Sequence, residues 1–177
     1  MRKARAALGS LVFLVLAPGI VAGLVPWGLT DWRVREPLPY WAPLRVAGVI
    51  LLAGGIVVLL QAFWRFVVEG LGTPAPVAPP ERLVVGGLYR FVRNPMYLAV
   101  AAAIVGQALA FGQPILLLYA AAFGVAVVAF VHWYEEPRLH RQFGEQYETY
   151  RRAVPAWWPR RDPWNGADAR PTVRSSR

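Results

Sequence analysis

Four apolar runs, each near the length needed to cross a bilayer, constrain this chain more than anything else in it. They extend over about Leu8 to Thr30, Leu44 to Val68, Pro95 to Phe111 and Ile115 to Tyr134. A hydrocarbon core about 30 Å thick takes roughly 20 apolar residues at about 1.5 Å of rise each. Only 16% of the 177 residues are charged, against about 25% in soluble domains. The runs therefore predict an all-α integral membrane protein with four transmembrane helices, followed by an amphipathic cytoplasmic helix. One membrane domain, residues 1–177, accounts for the length.

Charge and composition remove several other classes. A net charge of +9 invites a nucleic-acid partner, but the arginines flank apolar runs instead of forming one basic domain. We therefore expect no nucleic acid. Cysteine is absent and there are two histidines, His132 and His140. This leaves no disulfide, no thiolate chemistry and no expected metal site.

The chain begins with Arg2, Lys3 and Arg5, followed by a run too long for a signal peptide and without a convincing cleavage site. It reads as a retained first span, bent near Pro18, in which Gly19 and Gly23 are small residues of a packed helix. Trp27, Trp32, Tyr40 and Trp41 suit an interfacial aromatic belt around the loop Thr30 to Pro43. Arg65 is placed to snorkel at the end of the second span. The stretch Glu69 to Gly87 carries Pro74, Pro76, Pro79 and Pro80 and is a semi-rigid loop. Phe111-Gly112-Gln113-Pro114 is a tight turn, and Pro137 is expected to stop the fourth span. From there to Ala153 an amphipathic helix places Leu139, Phe143, Tyr147, Tyr150 and Val154 on one face, with Glu148 and Arg152 as an i,i+4 ion pair. Val154 to Trp164 reads as an interfacial anchor, and 165–177 as a flexible tail.

Lysine and arginine number three before the first span, two in residues 30–43, four from Arg65 to Arg93, none in the 111–114 turn and nine after the fourth span. Positive charge inside then places both termini and the 69–94 loop in the cytoplasm. The four-residue turn makes the third and fourth spans an antiparallel hairpin. Arg93 and Asn94 at the start of one therefore fall at the depth of Glu135 and Glu136 at the end of the other. Asn94 is expected to N-cap the third span with Pro95 in its first position, leaving Arg93 beside the positive end of the helix dipole. Such a corner takes a carboxylate, the two glutamates take an ammonium group or a sugar diol, and Tyr89, Tyr97, Trp133 and Tyr134 offer aromatic faces. A zwitterionic nucleoside such as S-adenosyl-L-methionine uses all of these. Equally, Arg90 and Arg93 can pair with Glu135 and Glu136 as a purely structural clamp.

The motifs GLYRFVRNPMY and EEPRLHRQFGEQYETYRRAVPAWWP, separated by one helical hairpin, resemble the isoprenylcysteine carboxyl methyltransferases and their phospholipid methyltransferase relatives. The resemblance covers roughly residues 72–159. It implies a transmembrane methyltransferase that uses S-adenosyl-L-methionine at the cytoplasmic face on a lipophilic acceptor, a small molecule or a lipid. It assigns Leu83, Val84, Tyr89, Asn94, Pro95, Met96, Tyr97 and Glu135 to the cofactor, and Arg93 joins them from its place beside the helix start. Asn94 stands where the eukaryotic isoprenylcysteine branch has histidine, and Val131 where that branch has a substrate-linked arginine. An amine acceptor needs a base, for which Glu136 and His132 are the candidates; a carboxylate or thiolate needs none. Two alternatives remain at this stage: a membrane reductase of sterol-reductase-like architecture, and a non-catalytic protein that binds anionic lipid.

Overall fold

The computed structural model describes residues 16–70 and 82–166. The basic N-terminus, the first half of the first apolar run, most of the proline loop and the tail from residue 167 lie outside the described residues. The described chain is all helical: α1 (Leu16–Thr30), α2 (Ala42–Gly70), α3 (Pro95–Phe111), α4 (Ile115–Phe143) and α5 (Glu145–Ala153), with a short 3₁₀ turn at Gly87–Arg90. Two helices are long and apolar enough to cross a membrane, over Ala42–Arg65 and Ile115–Phe143, while α1 and α3 are shorter apolar helices. α2 and α4 turn apolar side chains outward: Ile50, Val57, Leu118 and Val125 are all well over half exposed. Helices at the centre of a soluble core would hide such residues.

α3 is the central helix, burying Ala99, Ala103, Ile104 and Ala108. Along α2 the packing reaches backbone contact. A Cβ added to Gly106 would stand 2.5 Å from Leu52 N and 2.9 Å from Gly48 O, and one at Gly55 would stand 2.9 Å from Ala99 O. Small residues permit this approach, and dispersion between the two backbones is what it gains. Gly19 and Gly23, by contrast, have nothing near their added Cβ positions among the described residues.

At the tight turn the expectation holds. Gly112 adopts φ 63°, Gly112 N–H donates to Leu109 O, and Gln113 N–H reaches back to Ala108 O at 2.8 Å. This is a Schellman closure, which needs the left-handed residue that glycine supplies. The 31–41 loop docks on it. Arg35 N–H donates to Phe111 O, Trp41 Nε1 to Leu109 O and Trp32 Nε1 to Gln107 Oε1. Trp41 therefore caps a helix end, and Trp32 fastens the loop to the side of α3.

Three sequence expectations are corrected. In α1 the irregularity is a π turn at Ile20–Leu24, two residues short of Pro26 and not at Pro18. Pro26 has no N–H for the carbonyl of Ala22, nor for that of Val21 in the wider register. Those two carbonyls accept instead from Gln107 Nε2 at 2.7 Å and from Tyr119 OH at 2.8 Å. Pro137 does not stop the fourth helix: a π turn at Val131–Glu135 absorbs it and α4 continues to Phe143. The amphipathic helix is instead broken at Gly144, before α5. Its apolar face survives the break, since Leu139, Phe143, Tyr147, Tyr150 and Val154 meet Trp164, Leu83 and Val85 in one cluster.

Candidate active site

The segment before α3 is fastened by the chain that follows α5. Arg93 N–H donates to Pro155 O, Arg160 N–H to Phe91 O and Trp164 N–H to Arg90 O, all near 3 Å. Arg90 adds its Nε to Trp164 O at 2.8 Å and an Nη2 contact to Asn165. Val154 to Trp164 is thus a strap across residues 90–93 as well as a surface segment. Trp164 is buried against Tyr150, with ring centroids 5.4 Å apart, whereas Trp158 stands 81% exposed.

Asn94 begins α3 differently from expectation. Its carbonyl accepts from Leu98 N–H and Pro95 takes the first helical position, but the side chain makes no cap bond. The amide is turned away and donates from Nδ2 to Ala156 O at 3.2 Å. The strap competes for the side chain, whose amide is spent on Ala156 O instead of on the first turn of α3.

One helical turn of α3 then faces the end of the π turn in α4. Arg93 Nη1 donates to Glu136 Oε1 at 2.6 Å and to Tyr147 OH at 3.0 Å, with the arginine and glutamate side chains 12% and 19% exposed. Tyr97 OH donates to Glu135 Oε2 at 2.8 Å. The hairpin therefore joins residues some forty positions apart, as its length dictates. Arg93 Nε is buried and finds no partner among the described residues, so the guanidinium keeps one donor direction unspent there. Burial pushes the Tyr147 phenol up to about 12, which keeps it neutral, an acceptor for Arg93 that retains its own O–H to donate. Tyr150, likewise raised by burial, donates to Tyr89 O at 2.6 Å.

The remaining sequence candidates divide by location. Val84 and Tyr89 are buried with Ala62, and Met96 packs on them; Leu83 packs on the Tyr147 cluster. Val84 and Tyr89 are thus core residues beneath the region, while Leu83 and Met96 stay partly exposed. Arg90 takes no part in a clamp with the glutamates, being held by the strap. His132 is exposed with its ring edge to Trp133 at 6.2 Å. Among the described residues no hydrogen bond or ion pair links it to Arg93, Glu135 or Glu136. Tyr134 stacks on Phe130 and accepts from Arg138, and Trp133 is 77% exposed. Tyr147 escaped the sequence reading as a site residue because its helical spacing matched the apolar face. The signal was a phenol repeated among apolar positions, a group that seeks a hydrogen-bond partner when buried.

Comparison with known proteins places these observations. The family model of phospholipid methyltransferases matches residues 44–146, from the first turn of α2 into α5. It includes α2, which the resemblance of the two motifs left outside. It supports neither a reductase nor a non-catalytic lipid-binding protein. No curated protein matches the chain, and no solved structure does. With more than half of its length inside that match, the chain belongs to the phospholipid methyltransferase family and is a membrane methyltransferase acting on lipid.

Proposed function

We propose that the chain transfers the methyl group of S-adenosyl-L-methionine to a lipophilic, membrane-embedded acceptor at the cytoplasmic face. In this reading α1 to α4 form four spans of a bacterial inner-membrane protein, with both termini in the cytoplasm. α3, at about 25 Å, is short for a hydrocarbon core of about 30 Å, which brings Arg93 and Tyr97 close to the polar boundary. The observation that carries the proposal is the convergence of Arg93, Tyr97, Glu135, Glu136 and Tyr147 at the start of α3.

The residues fit the cofactor by their donor set. Arg93 has an unpartnered buried Nε for a carboxylate, and Glu135 accepts hydrogen bonds for an amine or a ribose diol. Asn94, Pro95, Met96 and Tyr97 form the turn beside it, while the backbone of Leu83, Val84 and Tyr89 lines the approach. When bound, S-adenosyl-L-methionine supplies an electrophilic methyl on a sulfonium. The chain's own part is positioning and exclusion of water. Charge disappears as a sulfonium meets an anionic acceptor, so a dry site favours that step. For an amine acceptor, Glu136 lies within the cluster but is held by Arg93, and His132 lies outside its hydrogen bonds. A carboxylate or thiolate, or an amine that reaches the site already neutral, asks nothing of either.

Calorimetric titration of the detergent-solubilised protein with S-adenosyl-L-methionine tests the reading. Binding that weakens in Glu135→Ala and Asn94→Ala is the expected result. No heat at millimolar cofactor overturns it.

A further inference from the structure

The π turn beside the site has a twin. Ile20–Leu24 in α1 is followed by Val25 and Pro26, and Val131–Glu135 in α4 by Glu136 and Pro137. In both, the residue between turn and proline closes the wide register: Val25 N–H bonds Ile20 O, and Glu136 N–H bonds Val131 O. The proline then removes the N–H that a return to α register would need. The copies differ in what else holds them. In α1 the freed carbonyls of Val21 and Ala22 are taken by Tyr119 and Gln107. Among the described residues no side chain takes the corresponding carbonyls of His132 and Trp133. The first turn is bolted from outside, whereas among the described residues the second rests on its proline.

A π turn accommodates one surplus residue, and successive residues of an α-helix differ by about 100° in direction. The side chains after the turn therefore take a different bearing from the one regular α-helix would give them. Here the side chains at the end of the turn and just after it are Glu135, held by Tyr97, and Glu136, held by Arg93. We propose that Pro137 is a positioning residue for the methyl-transfer site: by enforcing the Val131–Glu135 turn it sets the bearing at which both carboxylates meet α3. This deepens the proposed function, resting on Glu135 as a cofactor ligand. It assigns to Pro137, which touches none of the site's hydrogen bonds, control over all of them.

The test separates bearing from stability. Pro137→Ala restores the missing N–H and frees the helix to return to α register, turning both glutamates away from α3. The loss of one charge-assisted hydrogen bond corresponds to about tenfold weaker cofactor binding. Deleting the exposed His132 in the Pro137→Ala background removes the surplus residue, so regular α-helix then delivers Glu135 and Glu136 at their original bearing. Binding should recover. Pro26→Ala, the same change in the bolted turn, should leave binding near the wild-type value. All variants are first compared by thermal unfolding in detergent. Wild-type affinity in folded Pro137→Ala, or no recovery in a folded deletion variant, overturns the proposal. Should the wild type bind no S-adenosyl-L-methionine, the methyl-donor reading falls separately, and the bearing is read without cofactor. Paired Tyr97→Cys and Glu135→Cys in this cysteine-free chain are then treated with a short thiol cross-linker. Cross-linking that Pro137→Ala abolishes supports the proposal, and cross-linking that it leaves unchanged defeats it.

Discussion

The two ends of α3 carry polar networks of opposite character. At the C-terminal end, Gln107 is almost fully buried and its amide is spent in both senses: Oε1 accepts from Trp32, and Nε2 donates to Ala22 O and Ala103 O. Gln113 and Trp41 close the remaining carbonyls of the turn and loop. The groups that bond to α3 there are neutral, and a charged pair nearby, Arg45 with Glu36, joins the start of α2 to the loop, with a buried Arg45 Nε of its own unmatched among the described residues. At the N-terminal end the partners are ionisable, Arg93 pairing with Glu136 and Tyr97 with Glu135, and a buried Arg93 Nε is left unmatched among the described residues. A neutral network that satisfies itself is what holding helices together requires. Charges kept near the surface with unspent donors cost stability, and are the mark of a place meant to receive something.

That contrast is open to experiment, beginning with the largest effect. Arg93→Met strands Glu136 without its cation in a largely desolvated place, and should cost about 3 kcal/mol of stability; the double variant with Glu136→Gln should recover part of it in thermal unfolding. Glu135→Gln keeps the shape and a hydrogen bond to Tyr97 while removing the charge. It should weaken cofactor binding by about 2 kcal/mol while leaving the melting temperature nearly unchanged. Gln107→Leu should show the reverse, losing about 1–3 kcal/mol of stability through an orphaned Trp32 N–H and Ala22 carbonyl, with cofactor affinity intact. If Gln107→Leu altered affinity and Glu135→Gln altered stability, the contrast between the two ends would collapse.

The smallest effect lies on α5. Glu148 is held below the usual carboxylate range, chiefly by its hydrogen bond from Arg151, with Arg152 adding to it. A carboxyl depressed in the folded state contributes stability above its ordinary pKa and loses it as pH falls through the folded value. A slight decline in melting temperature on acidification, beginning near the ordinary carboxylate pKa and removed by Glu148→Gln, is expected.

Much of this was legible in the sequence, for identifiable reasons. The boundaries of α3 follow from Pro95 and Gly112, which act within one turn of themselves. The meeting of Arg93 with Glu136 follows from the tight turn and from the similar distance of each residue from it along its helix. The contact face from Leu139 to Val154 follows from helical period, though not the break at Gly144 within it. What escaped depended on partners distant in sequence. Asn94 looked like a cap because local rules know nothing of Ala156, sixty-two residues on. Pro137 looked like a stop because a proline's missing N–H has two outcomes, termination or a wider turn. Gly48 and Gly106 carry no signal of their seam, since each is an unremarkable small residue until the other helix lies against it.

That seam also bears on how a lipid reaches the site. Two helices in backbone contact at Gly48, Gly55 and Gly106 behave as a single wall through which no acyl chain passes. Any lateral path for lipid must avoid that seam, whereas a Cβ added to Gly124 on α4 would meet nothing within 4 Å among the described residues. The glycines thereby close that side of the bundle.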